Sequence, residues 1–197
     1  MMQNKTLVLF DFDGTITKKD SLSEFFKFIQ PNKLKRFSIK YIQTLPFIVL
    51  YKMALISTDQ LKKKRIRAFF KGMNYNDLII AGRDFADNIL PGLVKHSART
   101  AIEKHLVNGD DIFIVSASLD IILTSWCEHY GVGLITNIID PLSNCYSGID
   151  CNGLEKVNRI NQHFDLSKYD LIYAYGDTNG DLPMLNLAHK QFYQYFT

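Results

Sequence analysis

A chain of 197 residues with 47% hydrophobic and 22% charged residues has the composition of a globular protein, long enough for one well-buried core and a small additional unit. Its three cysteines, Cys127, Cys145 and Cys151, are odd in number, outside any Cys-x-x-Cys spacing and without clustered histidines, which excludes a disulfide framework and a zinc site and leaves reduced, incidental thiols. The net charge of +3 conceals an asymmetry: residues 18–90 carry 15 Lys and Arg against 6 Asp and Glu, and the remainder 8 against 14. Two units of opposite sign are expected, the basic one turned to an anionic substrate or surface, or to solvent.

Met1 to Thr6 lead directly into a strand, with no apolar stretch and small-residue cleavage site, so no signal peptide is expected and a cytoplasmic location is the default. Leu7-Val8-Leu9-Phe10 is a run suited to a strand buried on both faces. Asp11 and Asp13 follow where it runs out into the turn at Gly14. Two anions beside an apolar core are costly unless a cation meets them, and Mg²⁺ suits hard carboxylate oxygens.

Ser21, with Glu24 three residues later, is expected to cap a helix whose apolar face is Phe25, Phe26, Phe28 and Ile29 and which Pro31 stops. Helices are then expected at about 33–44, 46–56, 58–71 and 75–89, with breaks near Pro46, Ser57-Thr58 and Gly72. The apolar piece from Tyr41 to Ile56 is interrupted by Gln43, Thr44, Pro46 and Lys52 and falls short of the roughly 20 apolar residues of a membrane span. It reads as a buried or interfacial helix, and peripheral membrane contact is a secondary reading.

Beyond Pro91-Gly92, helix and strand alternate. Helices at 93–107, 119–130, 153–164 and 180–188 interleave with strands at 111–116, 133–137 and 170–175, and 191–196 can form an edge strand. Residues 138–152 are rich in turn formers and read as a hairpin or flap. The expected fold class is therefore α/β: a Rossmann-like parallel sheet flanked by helices, with an inserted α-helical cap. Residues 1–17 and 91–197 would form the core and 18–90 the cap. In such sheets the site lies at the carboxyl ends of the strands.

Those ends bring together Asp11 and Asp13, then Ser116-Ala117-Ser118, then Asp177 and Asp181, while Lys156 opens the helix before the last central strand. These are the parts phosphoryl transfer requires: a nucleophile, a proton donor, carboxylates for a metal, and positive or donor groups around phosphate. The pattern resembles the haloacid dehalogenase superfamily. Asp11-Phe12-Asp13-Gly14-Thr15 is similar to its first motif, Ser116 to the second, Lys156 to the third, and Gly176-Asp177 with Asp181 to the fourth. The helical insert after the first motif is most similar to the phosphoserine-phosphatase-like branch.

The resemblance implies a Mg²⁺-dependent phosphomonoester hydrolase. Asp11 would be the nucleophile and Asp13, turned back by the bend at Gly14, the acid and base. Asp11, Asp177 and the backbone carbonyl of Asp13 would hold the metal, with Asp181 a further ligand or an orienting group. Ser116, the following amide of Ala117, and Lys156 would hold the phosphate. Asp20 stands where the branch places an acidic group for a substrate amine, while a cap cation for a substrate carboxylate has several candidates, Lys63, Lys64, Arg65 and Arg67, of which Lys63 and Arg65 are carried forward. One departure is that Gly180 replaces an Asn usual before the second Asp of the fourth motif.

The substrate is expected to be the phosphomonoester of a small metabolite or a lipid headgroup. No nucleic-acid partner is expected and the oligomeric state is open. The alternatives are a phosphotransferase using the same aspartyl phosphate, and a non-catalytic module binding anionic partners through the basic cap.

Overall fold

The computed structural model describes residues 5–30 and 35–196. In chain order β1 (Thr6–Phe10) is followed by α1 (Ser21–Phe28), α2 (Lys35–Lys52), α3 (Thr58–Phe70), α4 (Tyr75–Asn88), the single turn α5 (Leu90–Leu93) and α6 (His96–Asn108). Then come β2 (Asp111–Leu119), α7 (Asp120–Tyr130), β3 (Gly133–Asn137), a small hairpin of β4 (Ile139–Asp140) and β5 (Cys145–Tyr146), and α8 (Leu154–His163). The chain closes with β6 (Leu171–Gly176), the short α9 (Leu182–Leu185) and β7 (Lys190–Tyr193).

The main sheet has five strands in the order β3-β2-β1-β6-β7, all parallel. β1 lies at its centre because it can be buried on both faces. Val8 and Phe10 join one hydrophobic cluster, Leu7 and Leu9 the other. The alternation of a pleated strand thus uses every residue of the apolar run. The first cluster extends into α1, α3 and α4 through Phe25, Phe26, Phe69, Phe70 and Phe85; Ile160 of α8 and Met184 and Leu185 of α9 cover the opposite face. β2 and β3 lie to one side of β1, and β6 and β7 to the other, so the strand order reverses at β1 and leaves a crevice at its carboxyl end.

Four local expectations are corrected. The cap of α1 is Asp20, whose side chain accepts from Ser23 N, whereas Ser21 is the first helical residue and turns inward. The α1 helix ends at Phe28; Pro31 and Lys33, the expected stop and restart, lie outside the described residues. α2 runs unbroken through Pro46. A proline inside a helix removes one hydrogen bond and crowds the carbonyl four residues earlier, here that of Ile42, but both residues are exposed and the carbonyl can turn to solvent. Finally, β2 continues to Leu119 instead of stopping at Ser116, through a register shift against β3 between Val115 and Leu119.

α4 packs on α7 at very close range. A Cβ on Gly82 would overlap the backbone carbonyl of Ile121, so only glycine permits this approach.

Candidate active site

The carboxyl ends of β1, β2 and β6 surround a cavity of about 240 Å³, lined among others by Asp11, Asp13, Asp20, Ser116, Ala117, Lys156 and Asp181. The strand twist and the turn at Gly14 explain how both aspartates of the first motif reach it. Asp11 continues β1, its N–H donating to Tyr175 O of β6 at 2.9 Å. Gly14 then adopts φ +87°, and Ile16 N and Thr17 N both fold back onto Phe12 O (2.8 and 3.0 Å), which swings Asp13 to the same side. A Cβ on Gly14 would also overlap the carboxylate of Asp177, so the turn is built against that side chain.

Lys156, on the first turn of α8, sits at the centre. Its Nζ lies 2.6 Å from Asp11 Oδ1 and 2.6 Å from Asp181 Oδ1, with the lysine only 1% exposed. Burial works against its charge, but the two carboxylates outweigh it and hold the ammonium well above the ordinary lysine range. The other oxygen of Asp181 accepts from Asp177 N (3.2 Å), Thr178 N (2.9 Å) and Thr178 Oγ1 (2.8 Å). Although burial opposes it, Lys156 and the Thr178 donors keep Asp181 ionised, with its pKa lowered. No hydrogen bond among the described residues ends on Asp11 Oδ2, which leaves that oxygen available for chemistry.

Asp13 is held differently. Its Oδ1 accepts from Ser21 N at 2.6 Å and its Oδ2 from Ser21 Oγ at 3.0 Å, and Ser21 Oγ in turn meets Ser118 Oγ at 2.8 Å. Burial, and next the charge of Asp20, push its pKa up to about 8, against the pull of the Ser21 donors. Burial also raises Asp11, to about 6, but Lys156 limits the rise. Two carboxyl groups with environments this different favour different protonation states in one cavity.

Asp11, Asp177 and Asp181 place carboxylate oxygens within 4.8 Å of one another. Asp177 is oriented by Thr15, whose hydroxyl donates to its Oδ1 at 2.9 Å. This all-oxygen donor set, anchored by a neighbouring hydroxyl, fits a small hard divalent cation. With both oxygens of Asp181 already engaged by Lys156 and Thr178, Asp11 and Asp177 have the freer oxygens to offer.

Ser116, Ala117 and Ser118 enter the cavity because of the irregularity in β2; a bulge re-aims side chains that a regular strand would alternate across the sheet. The Ser118 amide is spent on Ser116 Oγ at 3.0 Å, and Thr136 Oγ1 lies 3.0 Å from the carbonyls of both Ser116 and Ser118.

Helix α3 contributes a residue the sequence reading passed over. Lys62 of α3 lines the cavity, donating to Ala117 O and to Asp150 Oδ1 (2.7 Å), an oxygen that also accepts from Asn137 Nδ2 at 2.6 Å. Lys63 and Arg65 do not line it. Lys63 pairs with Asp59 at 2.8 Å and donates to Gly148 O at 2.6 Å, and Arg65 lies over the Phe26 ring at 5.7 Å. Successive helical residues diverge by about 100°, so within a basic run only one faces a given cleft, and no sequence signal picks it out. Asp20 does line the cavity while capping α1 through Ser23 N at 2.7 Å.

Gly180 finds an explanation in Asn152. A Cβ at Gly180 would overlap Asn152 Oδ1, and Asn152 itself lines the cavity. Asn152 Oδ1 thus occupies the space that a side chain at position 180 would take. Thr15, Ser21, Lys62, Asn152 and Thr178 are the site residues the sequence reading missed; Thr15 and Thr178 carried a signal, as residues within the first and fourth motifs.

Comparison with known proteins shows the family to which the chain belongs. The haloacid dehalogenase-like hydrolase family model matches residues 8–186. Protein CicA of Caulobacter vibrioides is 31% identical over 96% of this chain and 86% of its own length, and a histidinol-phosphatase of Neisseria meningitidis serogroup C is 25% identical over 94% and 88%. The crystal structure of a phosphoserine phosphohydrolase-like protein from Francisella tularensis shares the fold, with a TM-score of 0.63 at 17% identity over 95% of this chain and 85% of that one. The chain is a member of the haloacid dehalogenase-like hydrolase family, with a fold of the phosphoserine-phosphatase-like kind.

Proposed function

We propose that the protein is a Mg²⁺-dependent phosphatase that hydrolyses the phosphomonoester of a small molecule through an aspartyl phosphate on Asp11. The observation that carries the reading is the pairing of Asp11, oriented by Lys156 through one oxygen and open at the other, with Asp13 in the same cavity. Asp11 Oδ2 attacks phosphorus, and the bond to the ester oxygen breaks with its electron pair. Asp13 delivers the proton that the departing oxygen needs. In the second half Asp13, now ionised, takes a proton from water as that water attacks phosphorus, and Asp11 leaves as the free carboxylate.

Asp11, Asp177 and the carbonyl of Asp13 would hold Mg²⁺, which when bound reduces the repulsion between the phosphate and the attacking carboxylate. Ser116 Oγ, the Ala117 amide and Lys156 Nζ hold the phosphate oxygens. Asp181 positions Lys156, and Thr178 and the Asp177 amide position Asp181. The cap residues 18–90 would close the cavity through Lys62, shielding the reaction from water.

The cavity's size favours a compact substrate, and Asp20 offers a carboxylate for an amino group. The histidinol-phosphatase among the relatives is consistent with an amino-bearing phosphate. Three free, buried cysteines support a reducing, cytoplasmic setting. The test is a hydrolysis screen of amino-alcohol, amino-acid, sugar, nucleotide and glycerol phosphates with Mg²⁺ or with a chelator. Free phosphate released only with the metal, and fastest for an amine-bearing monoester, is the expected result. Phosphate found only on an added alcohol would instead make the protein a phosphotransferase.

A further inference from the structure

The outward face of cap helix α2 is apolar. Ile39, Ile42, Leu45 and Val49, with Met53 just past the helix end, are 42 to 62% exposed. Their spacing of three, three, four and four residues puts them in one stripe. The opposite side packs on α3: Thr44 is buried, and Lys64 Nζ lies 5.2 Å from the centre of the Phe47 ring. A surface helix ordinarily shows the reverse pattern, so a continuous apolar stripe marks a contact surface.

Charge selects the partner. Residues 35–71 contain 10 Lys and Arg and a single acid, Asp59; Lys62 turns to the catalytic cavity and Lys63 and Arg65 are engaged elsewhere, while Lys52, Lys64, Arg67 and Lys71 are exposed. That acid is already engaged, accepting from Lys63 Nζ (2.8 Å) and from Tyr146 Oη (2.6 Å). Two copies joined through this face would bring like charges together, whereas an anionic lipid surface would meet both the aliphatic stripe and these exposed cations. The described residues contain no helix long and apolar enough to cross a membrane. We infer that α2 lies in the plane of an anionic bilayer, its aliphatic stripe inserted among the acyl chains and the flanking lysines, Lys52 and Lys71 among them, at the headgroups. The inference stands apart from the proposed chemistry, since none of these residues lines the catalytic cavity.

The test is co-sedimentation of the full chain with vesicles of phosphatidylcholine alone or with about 30% phosphatidylglycerol. The expected result is binding to the anionic vesicles only, weakening as salt rises from about 0.1 to about 1 M and the screening length shrinks from about 10 to about 3 Å. The triple variant Ile42→Asn, Leu45→Asn, Val49→Asn should bind at least about tenfold more weakly while hydrolysing an aryl phosphate at the parent rate. Lys52→Glu with Lys71→Glu should weaken binding several-fold through the electrostatic part alone. No binding to anionic vesicles, or undiminished binding by the triple variant, would overturn the inference. A dimer in sedimentation velocity that the triple variant dissolves, without vesicle binding, would assign the face to a second copy.

Discussion

Lys156→Met removes the buried ammonium between Asp11 and Asp181 while keeping a side chain of similar length. In the parent the ammonium is 2.6 Å from each of two carboxylates, and lysine, Asp11 and Asp181 are all buried. Deleting one partner of a buried ionic cluster costs about 3–5 kcal/mol, because the remaining charges have neither water nor counterion. Against a total stability of about 5–15 kcal/mol this is a large fraction, equivalent to a fall of roughly 6–20 °C in Tm for a chain of this size.

The pH dependence separates this cause from lost packing. Without the lysine, both carboxylates have folded-state pKa values above their unfolded value, so the folded state binds more protons than the unfolded one. Stability of the variant then falls as pH rises through that window. In the parent, Lys156 limits Asp11 to about 6 and lowers Asp181, whose contribution is present above the unfolded value and lost as pH falls. The deficit of the variant should therefore be greatest near pH 8 and shrink toward about pH 5. Urea unfolding of both proteins in a chelator, across that range, measures it. A deficit below about 1 kcal/mol, or one independent of pH, would refute the electrostatic reasoning and leave only altered packing.

Two further outcomes follow from the neighbouring groups. For Asp13→Asn, trapped phosphoenzyme should accumulate with activated leaving groups, since departure needs no proton but the attacking water still needs a base; rapid acid quench measures it. Because the pKa of Asp13 is pushed up to about 8, ionising it destabilises the fold as pH rises from about 4 to about 8, and the Asn variant should show a flatter stability profile over that window. Thr15→Val removes the hydroxyl that orients Asp177 Oδ1 and should weaken the apparent Mg²⁺ affinity by about 10–100-fold in a metal titration of activity, with the urea midpoint little changed.

Much of the fold was written in periodicity. The apolar run at Leu7–Phe10 could be placed at the sheet centre because a strand buried on both faces needs apolar residues at every position. The order of helices and strands after Pro91 was equally readable, as was the convergence of Asp11, Asp13, Ser116, Lys156, Asp177 and Asp181, since strand ends of a parallel sheet meet at one edge. What escaped depended on contacts distant in sequence. Ser21 resembles a helix cap locally, but Asp13 recruits its hydroxyl and amide, so Asp20 takes the capping role. Ser116-Ala117-Ser118 reads as the end of a strand, whereas a register shift against β3 carries the strand on to Leu119. Pro46 signals a break, yet α2 runs through it at an exposed position. Lys62 is chosen from its basic run only by the rotation of α3, and Asn152 meets Gly180 across a gap of 28 positions that no local pattern spans.

The division of labour between Asp11 and Asp13 is tested most directly by locating the covalent intermediate. A radiolabelled or mass-tagged phosphoryl group from an activated monoester, quenched in acid during turnover by the Asp13→Asn variant and mapped by peptide analysis, should lie on Asp11 and be released by mild base. The double variant with Asp11→Asn should carry none. Label on another residue, or substrate hydrolysed with no label on Asp11 at any quench time, would contradict nucleophilic catalysis by Asp11.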